Sequence, residues 1–204
     1  MMLKPKHFIL CLTLFLATAS AFLPATGFAV GKNADLNLPN YHPFTESTII
    51  TGYGTRDPAE GYYNYVSLIW HLGIDLKRFF PRLEQHHGLL SGYLEPNINP
   101  AFKPETEIEF GIGFGLKYMY PLTRMVSGYI MGSVGPHYIT VETADQANGF
   151  IFSDIVAAGL TFFLTKTTAL DLEYRFRHLS NARLKMPNGG VNSHMVAIGY
   201  SMFF

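Results

Sequence analysis

The stretch Glu105-Thr106-Glu107-Ile108-Glu109-Phe110-Gly111-Ile112-Gly113-Phe114-Gly115-Leu116-Lys117-Tyr118-Met119 decides the fold. Successive side chains of a β-strand point to opposite faces, so Ile108, Phe110, Ile112, Phe114, Leu116 and Tyr118 share one face. Glu107, Glu109, Gly111, Gly113, Gly115 and Lys117 take the other. A six-residue apolar stripe backed by glutamates, a lysine and glycines suits a wall between hydrocarbon and a polar lumen. The alternative is a secreted soluble barrel whose stripe is an ordinary core, and the charged residues opposite the stripe argue against it. The glycines suit close packing inside a narrow barrel. No helix follows them, so they do not read as a phosphate loop.

The same pattern recurs along the chain. From about Tyr62 to Leu76, Val66, Leu68, Trp70, Leu72, Ile74 and Leu76 oppose Ser67, His71, Gly73 and Asp75. Less regular strands are expected near 47–55, 88–96, 124–140, 149–164, 168–180 and 192–204. The connections at 121–123 and 165–167 are short, while those near 56–61, 97–104, 141–148 and 181–191 are longer and rich in Gly, Pro, Asn and charge. Eight strands with alternating short and long turns predict an all-β fold, an antiparallel transmembrane β-barrel of the outer membrane. The last strand agrees: Val196, Ile198, Tyr200, Met202 and Phe204 share one face, and Ala197, Gly199 and Ser201 fill the other.

Composition fits this class. The 204 residues include 15% aromatic and only 15% charged side chains, and the 15 basic and 15 acidic groups balance. No basic field points to nucleic acid. Lys4, Lys6 and His7 precede the apolar run Phe8–Ala17, and small residues follow to Ala29, which describes a signal peptide over residues 1–29 and a barrel domain over 30–204. Its removal would take away Cys11, the sole cysteine, leaving neither a disulfide nor a thiol nucleophile.

Against this background His178-Leu179-Ser180-Asn181-Ala182 stands out. His178 and Ser180 share the face that carries Leu172, Tyr174 and Phe176. With both chain ends periplasmic, odd-numbered strands run outward, so strand seven delivers His178 and Ser180 to the extracellular rim. Strand eight starts there with Asn192, on the parity of Phe204. Three polar residues therefore converge on the lipid-facing wall at the level of the outer leaflet, whose principal lipid in a Gram-negative cell is lipopolysaccharide. Polar side chains turned to lipid are costly and point to function.

The run His178-x-Ser180-Asn181-Ala182, followed by Pro187-Asn188-x-Gly190 and a terminal strand ending in an aromatic residue, resembles the outer-membrane lipid A 3-O-deacylase family. The motif covers about the last 30 residues. The resemblance implies an esterase that removes the 3-O-linked hydroxyacyl chain of lipid A, with His178 and Ser180 as two members of a catalytic triad. Where the best-known members of the family place a glutamate, this chain has Asn192, and no Asp or Glu occurs from Asn181 to Phe204.

A serine needs a neighbouring base to attack an ester, and the imidazole needs a partner that fixes its tautomer and stabilises its charged form. Asparagine can orient a histidine but supplies no charge. If Thr165-Lys166-Thr167 forms the turn, Leu164 pairs with Thr168 and Asp154 falls directly opposite His178, which makes Asp154 the alternative acid. The Asn181 side chain or the backbone N–H groups after Ser180 are candidate oxyanion donors. Arg183 and Lys185 are candidates for the phosphates of lipid A. The chemistry demands no cofactor and no metal. A metal role for His86-His87 is disfavoured, and His71 is expected in the lumen beside Glu107 or Glu109. The partners implied are lipid A and the outer membrane, with a homodimer left open. The competing readings are a non-enzymatic barrel (adhesin, channel or structural protein) with a decayed site, and a phospholipase or acyltransferase working on the same surface.

Overall fold

The computed structural model describes residues 44–56, 63–76, 79–80, 88–103, 106–140 and 142–204. The expected signal peptide and His86-His87 lie outside these residues. Eight strands follow in chain order: β1 (Glu46–Arg56), β2 (Asn64–Asp75), β3 (Leu89–Lys103), β4 (Glu107–Pro121), β5 (Val126–Ile139), β6 (Gly149–Phe163), β7 (Thr168–Ser180) and β8 (Val191–Phe203). Each pairs antiparallel with its sequence neighbours, and β1 closes onto β8 from Glu46↔Phe203 to Arg56↔Ser193. Closure leaves no unpaired strand edge, as a sheet surrounded by lipid requires.

One strand boundary is corrected. The segment 97–104 reads as a loop because of its Asn and Pro residues, yet β3 continues to Lys103. Pairing with β2 is interrupted around both prolines, between Tyr65↔Ala101 and Leu68↔Ile98 and again between Ile69↔Asn97 and Leu72↔Leu94. The opposite edge pairs with β4 without a break from Leu89 to Ala101. Pro96 and Pro100 lack an N–H, but the loss falls on one edge only, so the strand survives them.

The outer wall is apolar, with Trp70, Phe110, Phe114, Ile130, Val156, Tyr174, Val196 and Ile198 all exposed. The inner wall is polar and buried. Arg175 forks onto Glu95, with Nη1 2.7 Å from Oε2 and Nη2 2.9 Å from Oε1, and its Nε donates to Glu173. Arg177 donates to Glu109 at 2.6 Å and lies over the Tyr65 ring, 4.1 Å from its centroid. Lys117 donates to Glu46 at 2.7 Å. His71 is lumenal as its parity requires, but its partner is Glu95, at 2.8 Å, and not Glu107 or Glu109. The β2–β3 register sets Glu95 beside it, whereas Glu109 is occupied by Arg177 and by His137 at 3.2 Å. Gly111 makes room for this packing, since a Cβ there would run into the His137 ring.

Every charged lumenal group named here has an opposite charge within hydrogen-bond reach, which is the condition for burying it. The cavity bordered by Tyr65, Ser67, Asn99, His137, Ser153 and Arg177 holds about 20 Å³, room for a single water. The lumen at this level is therefore a packed core and not a channel.

Truncating one member of the network strands its partner. Arg175→Met should lower unfolding free energy by about 3–5 kcal/mol, the cost of leaving a buried carboxylate unpaired. The double variant Arg175→Met/Glu95→Gln should lose less than the sum of its parts. Urea titration of the barrel in lipid vesicles measures both, and strict additivity would show the pair to be uncoupled.

Candidate active site

Strand β7 carries both halves of the structure. Asp171, Glu173, Arg175 and Arg177 point into the lumen and are buried, while Leu172, Tyr174, Phe176, His178 and Ser180 point outward. The arginine–glutamate pairs thus fix the backbone from which His178 projects. The turn Thr165-Lys166-Thr167 sets the register on one side: the N–H groups of Leu164 and Thr165 both donate to the Thr168 carbonyl, at 2.9 and 3.2 Å. Asp154 consequently lies directly opposite His178, and Phe152 opposite Ser180. On the other side, His178 pairs with Asn192 of β8.

His178 Nδ1 is 2.7 Å from Asn192 Oδ1. A carboxamide oxygen only accepts, so Nδ1 carries the hydrogen and the lone pair sits on Nε2. That edge of the ring lies against Gly190, where a Cβ would fall 2.6 Å from Cε1 and 3.3 Å from Nε2. Gly190 immediately precedes β8, just beyond the last paired residues Leu179 and Val191, so Nε2 is turned towards the rim. Asp154, half-buried beside His178, makes no hydrogen bond to it: the imidazole has turned its one N–H to Asn192.

The Ser180 hydroxyl donates to Asn188 Oδ1 at 3.3 Å and not to His178. The same Asn188 oxygen accepts the Asn181 N–H at 2.9 Å, and the Ala182 N–H donates to Ser180 Oγ at 3.4 Å. Asn181 is a loop brace: it is buried, its Nδ2 donates to the Lys185 carbonyl at 2.6 Å, and its Oδ1 accepts the Arg183 N–H at 3.0 Å. The Asn181 side chain, one of the expected oxyanion donors, is thus engaged in the loop, while the Ala182 N–H, one of the backbone donors after Ser180, points at the hydroxyl. The brace supports a tight exit from β7 in which Ala182 (φ 53°) and Arg183 (φ 68°) adopt left-handed backbone, a costly conformation for residues with a Cβ. Arg183 and Lys185 are exposed on the loop above the site, and Lys185 Nζ donates to Asn148 Oδ1 at 2.6 Å.

Sequence reasoning quoted Asn188 within a motif but gave it no role, and it missed the loop that holds it. Residues 143–148, between β5 and β6, clamp the β7–β8 loop. The Ala147 N–H donates to the Pro187 carbonyl at 2.9 Å, the Gly189 N–H donates to the Asp145 carbonyl at 2.5 Å, and Gln146 bridges to Asn188. Asp145 is itself anchored by Arg56 at the end of β1, at 2.8 Å. The contact joins segments about 40 residues apart, so only the Pro187-Asn188-x-Gly190 spacing hinted at it.

One stretch of wall thus carries a hydroxyl, an imidazole with its lone pair on Nε2, a carboxamide beside the hydroxyl and a carboxylate on the next strand, groups that acyl-transfer chemistry can use. Among the described residues no group of His, Cys, Asp or Glu is placed to hold a metal ion.

Comparison with known proteins bears on this centre. The family model described as lipid A 3-O-deacylase (PagL) matches residues 64–201, more than half of the chain. The crystal structure of the outer membrane enzyme PagL superposes with a TM-score of 0.55 at 18% identity, covering 77% of this chain and 99% of that one. Neisserial surface protein A superposes with a TM-score of 0.55 at 14% identity, over 79% of this chain and 96% of that one. At these identities the superpositions establish the fold of an outer-membrane β-barrel. No curated protein matches the chain.

The contact between Gly190 and the imidazole offers a direct test of the site. Gly190 has a φ of 82°, so alanine there meets both a left-handed backbone and the His178 ring. Gly190→Ala should slow ester hydrolysis at least ~10-fold, equivalent to about 1.4 kcal/mol, while the barrel still folds. Undiminished hydrolysis would mean that this face of the imidazole is not used.

Proposed function

The chain belongs to the lipid A 3-O-deacylase (PagL) family, and from that premise we propose that it hydrolyses the 3-O-acyl ester of lipid A by a Ser180/His178 mechanism on its lipid-facing wall. The observation that carries this reading is the 2.7 Å bond from His178 Nδ1 to Asn192, which leaves the lone pair on Nε2, the nitrogen that a general base would use.

In the reaction, Ser180 rotates away from Asn188 and gives its proton to His178 Nε2 as Oγ attacks the ester carbonyl. Catalytic hydrogen bonds are often long or misaligned before substrate binds, so the resting bond to Asn188 is compatible with this step. The tetrahedral oxyanion is held by donors beside Ser180. Asn188 is a candidate, since its carboxamide already lies beside the hydroxyl, with Oδ1 3.3 Å from Oγ, and its Nδ2 is a donor that a turn of the side chain would present. Collapse breaks the bond to the sugar oxygen, which takes the proton from the imidazolium. Water, deprotonated by the same histidine, then cleaves the acyl-serine and releases the hydroxy fatty acid.

The usual third member of a triad both orients the histidine and stabilises its charge. Here the two tasks are divided. Asn192 orients, and Asp154 supplies negative charge from the neighbouring strand, where directly opposed residues stand ~4.5–5.5 Å apart at Cβ. Arg183 and Lys185 sit where the phosphorylated sugar of the substrate would lie, and they supply cationic donors to it.

Mass spectrometry of lipid A from cells producing the wild type, Ser180→Ala, Asp154→Asn and Asn192→Ala tests the scheme. The wild type should remove one hydroxyacyl chain and Ser180→Ala none. Asp154→Asn should slow the reaction at least ~10-fold, the effect of losing about 1.4 kcal/mol of charge stabilisation. If Asp154→Asn were as active as wild type while Asn192→Ala were inactive, Asp154 would have no part. Unchanged lipid A with the wild type would mark an inert barrel, and an added chain would mark an acyltransferase.

A further inference from the structure

Below the site, the outer wall formed by β6, β7 and β8 is hollowed. Ala158, Gly159 and Leu160 of β6, Leu172, Glu173 and Tyr174 of β7, and Val196 of β8 border a shallow groove that is open to the lipid side. Its cause is one small residue. The outward-facing residues of β6 are Phe150, Phe152, Asp154, Val156, Ala158, Leu160 and Phe162, and Ala158 is the smallest of them. The register places Ala158 beside Tyr174, and Tyr174 beside Val196.

Tyr174 is held as one wall of this groove by a residue the mechanism does not use. His194 of β8 faces lipid, where an imidazole is costly, and its Nδ1 is 2.5 Å from the Tyr174 hydroxyl. Its ring also packs against Phe176, with centroids 5.3 Å apart. Two polar groups are thus spent on each other inside the apolar wall, and the phenol ring is held against His194, its centroid 6.0 Å from that of the imidazole, beside the hollow.

Depth identifies the occupant. Tyr174 and Ala158 lie six residues down the strand from Ser180, or about 20 Å at ~3.4 Å per residue. With strands tilted by ~40°, that distance corresponds to about 15 Å of membrane depth. One leaflet contributes half of a hydrocarbon core ~30 Å thick, so the methyl end of a chain whose ester sits at Ser180 reaches this level. We propose that the groove floored by Ala158 and walled by Tyr174 receives the distal end of the scissile acyl chain and sets the chain length that the enzyme accepts. This rests on the deacylase reading above and adds to it a residue that determines specificity.

The test uses the full-length barrel in detergent micelles and two glucosamine lipids that differ only in carrying a 3-O-decanoyl or a 3-O-palmitoyl chain. Filling the hollow with Ala158→Leu should lower the palmitoyl-to-decanoyl ratio of kcat/KM at least ~10-fold, the discrimination that a few methylenes gain or lose in an apolar pocket. Ala158→Val should shift the ratio less and with the same sign, and Leu160→Ala, which extends the hollow, should shift it the other way. Heat-dependent gel mobility reports folding of each variant independently of activity. A ratio unchanged in all three folded variants, with the wild type active, would overturn the groove proposal alone. A wild type that cleaves neither lipid would overturn the deacylase reading together with it.

Discussion

A closed sheet between lipid and a narrow lumen leaves each side chain only two directions, and on β7 that constraint ties stability to chemistry. Inward, Arg175 and Arg177 are locked to Glu95 and Glu109 by bonds of 2.6–2.9 Å. Outward, the alternate positions carry the apolar ladder that ends in His178 and Ser180. A slip of one residue would send the arginines into hydrocarbon and the histidine into the lumen, at a cost of several unpaired charges. The register that buries the ion pairs is therefore the register that presents the site.

The strand neighbours complete the centre from both sides. A short turn fixes β6 so that Asp154 faces His178, and the β7–β8 pairing brings Asn192 to the imidazole. The loops add what strands cannot, since Asn188 reaches Ser180 only because residues 145–147 clamp the segment that carries it. In the proposed mechanism, wall residues supply the base and its orientation, and clamped loop residues supply the donors near the reacting atoms. The division agrees with the general placement of functional residues on loops held by a stable scaffold.

Much of this was legible in the sequence because period-two alternation is a strong local signal. The eight strands, the lipid-facing parity of His178, Ser180 and Asn192, and the pairing of Asp154 with His178 all follow from alternation and one three-residue turn. β3 was cut short because Pro96 and Pro100 mimic a loop, and only the sheet reveals that one edge can spare their N–H groups. The partner of His71 depended on the β2–β3 register across a long connection. The bracing of the loop by Asn181 and the contact of Asn188 with Ser180 are hidden for a similar reason: side-chain commitments within a loop, and a clamp from a distant one, leave little trace in local spacing.

The most direct test of the account is covalent trapping of the nucleophile. A long-chain alkyl fluorophosphonate presented in micelles should phosphonylate the folded barrel once, on the peptide that contains Ser180. Labelling should be lost in His178→Ala and slowed in Asn192→Ala, because the serine is activated only by an imidazole held in the right tautomer. Label on another residue, or equal labelling of Ser180 without His178, would contradict the claim that these two side chains form one catalytic unit.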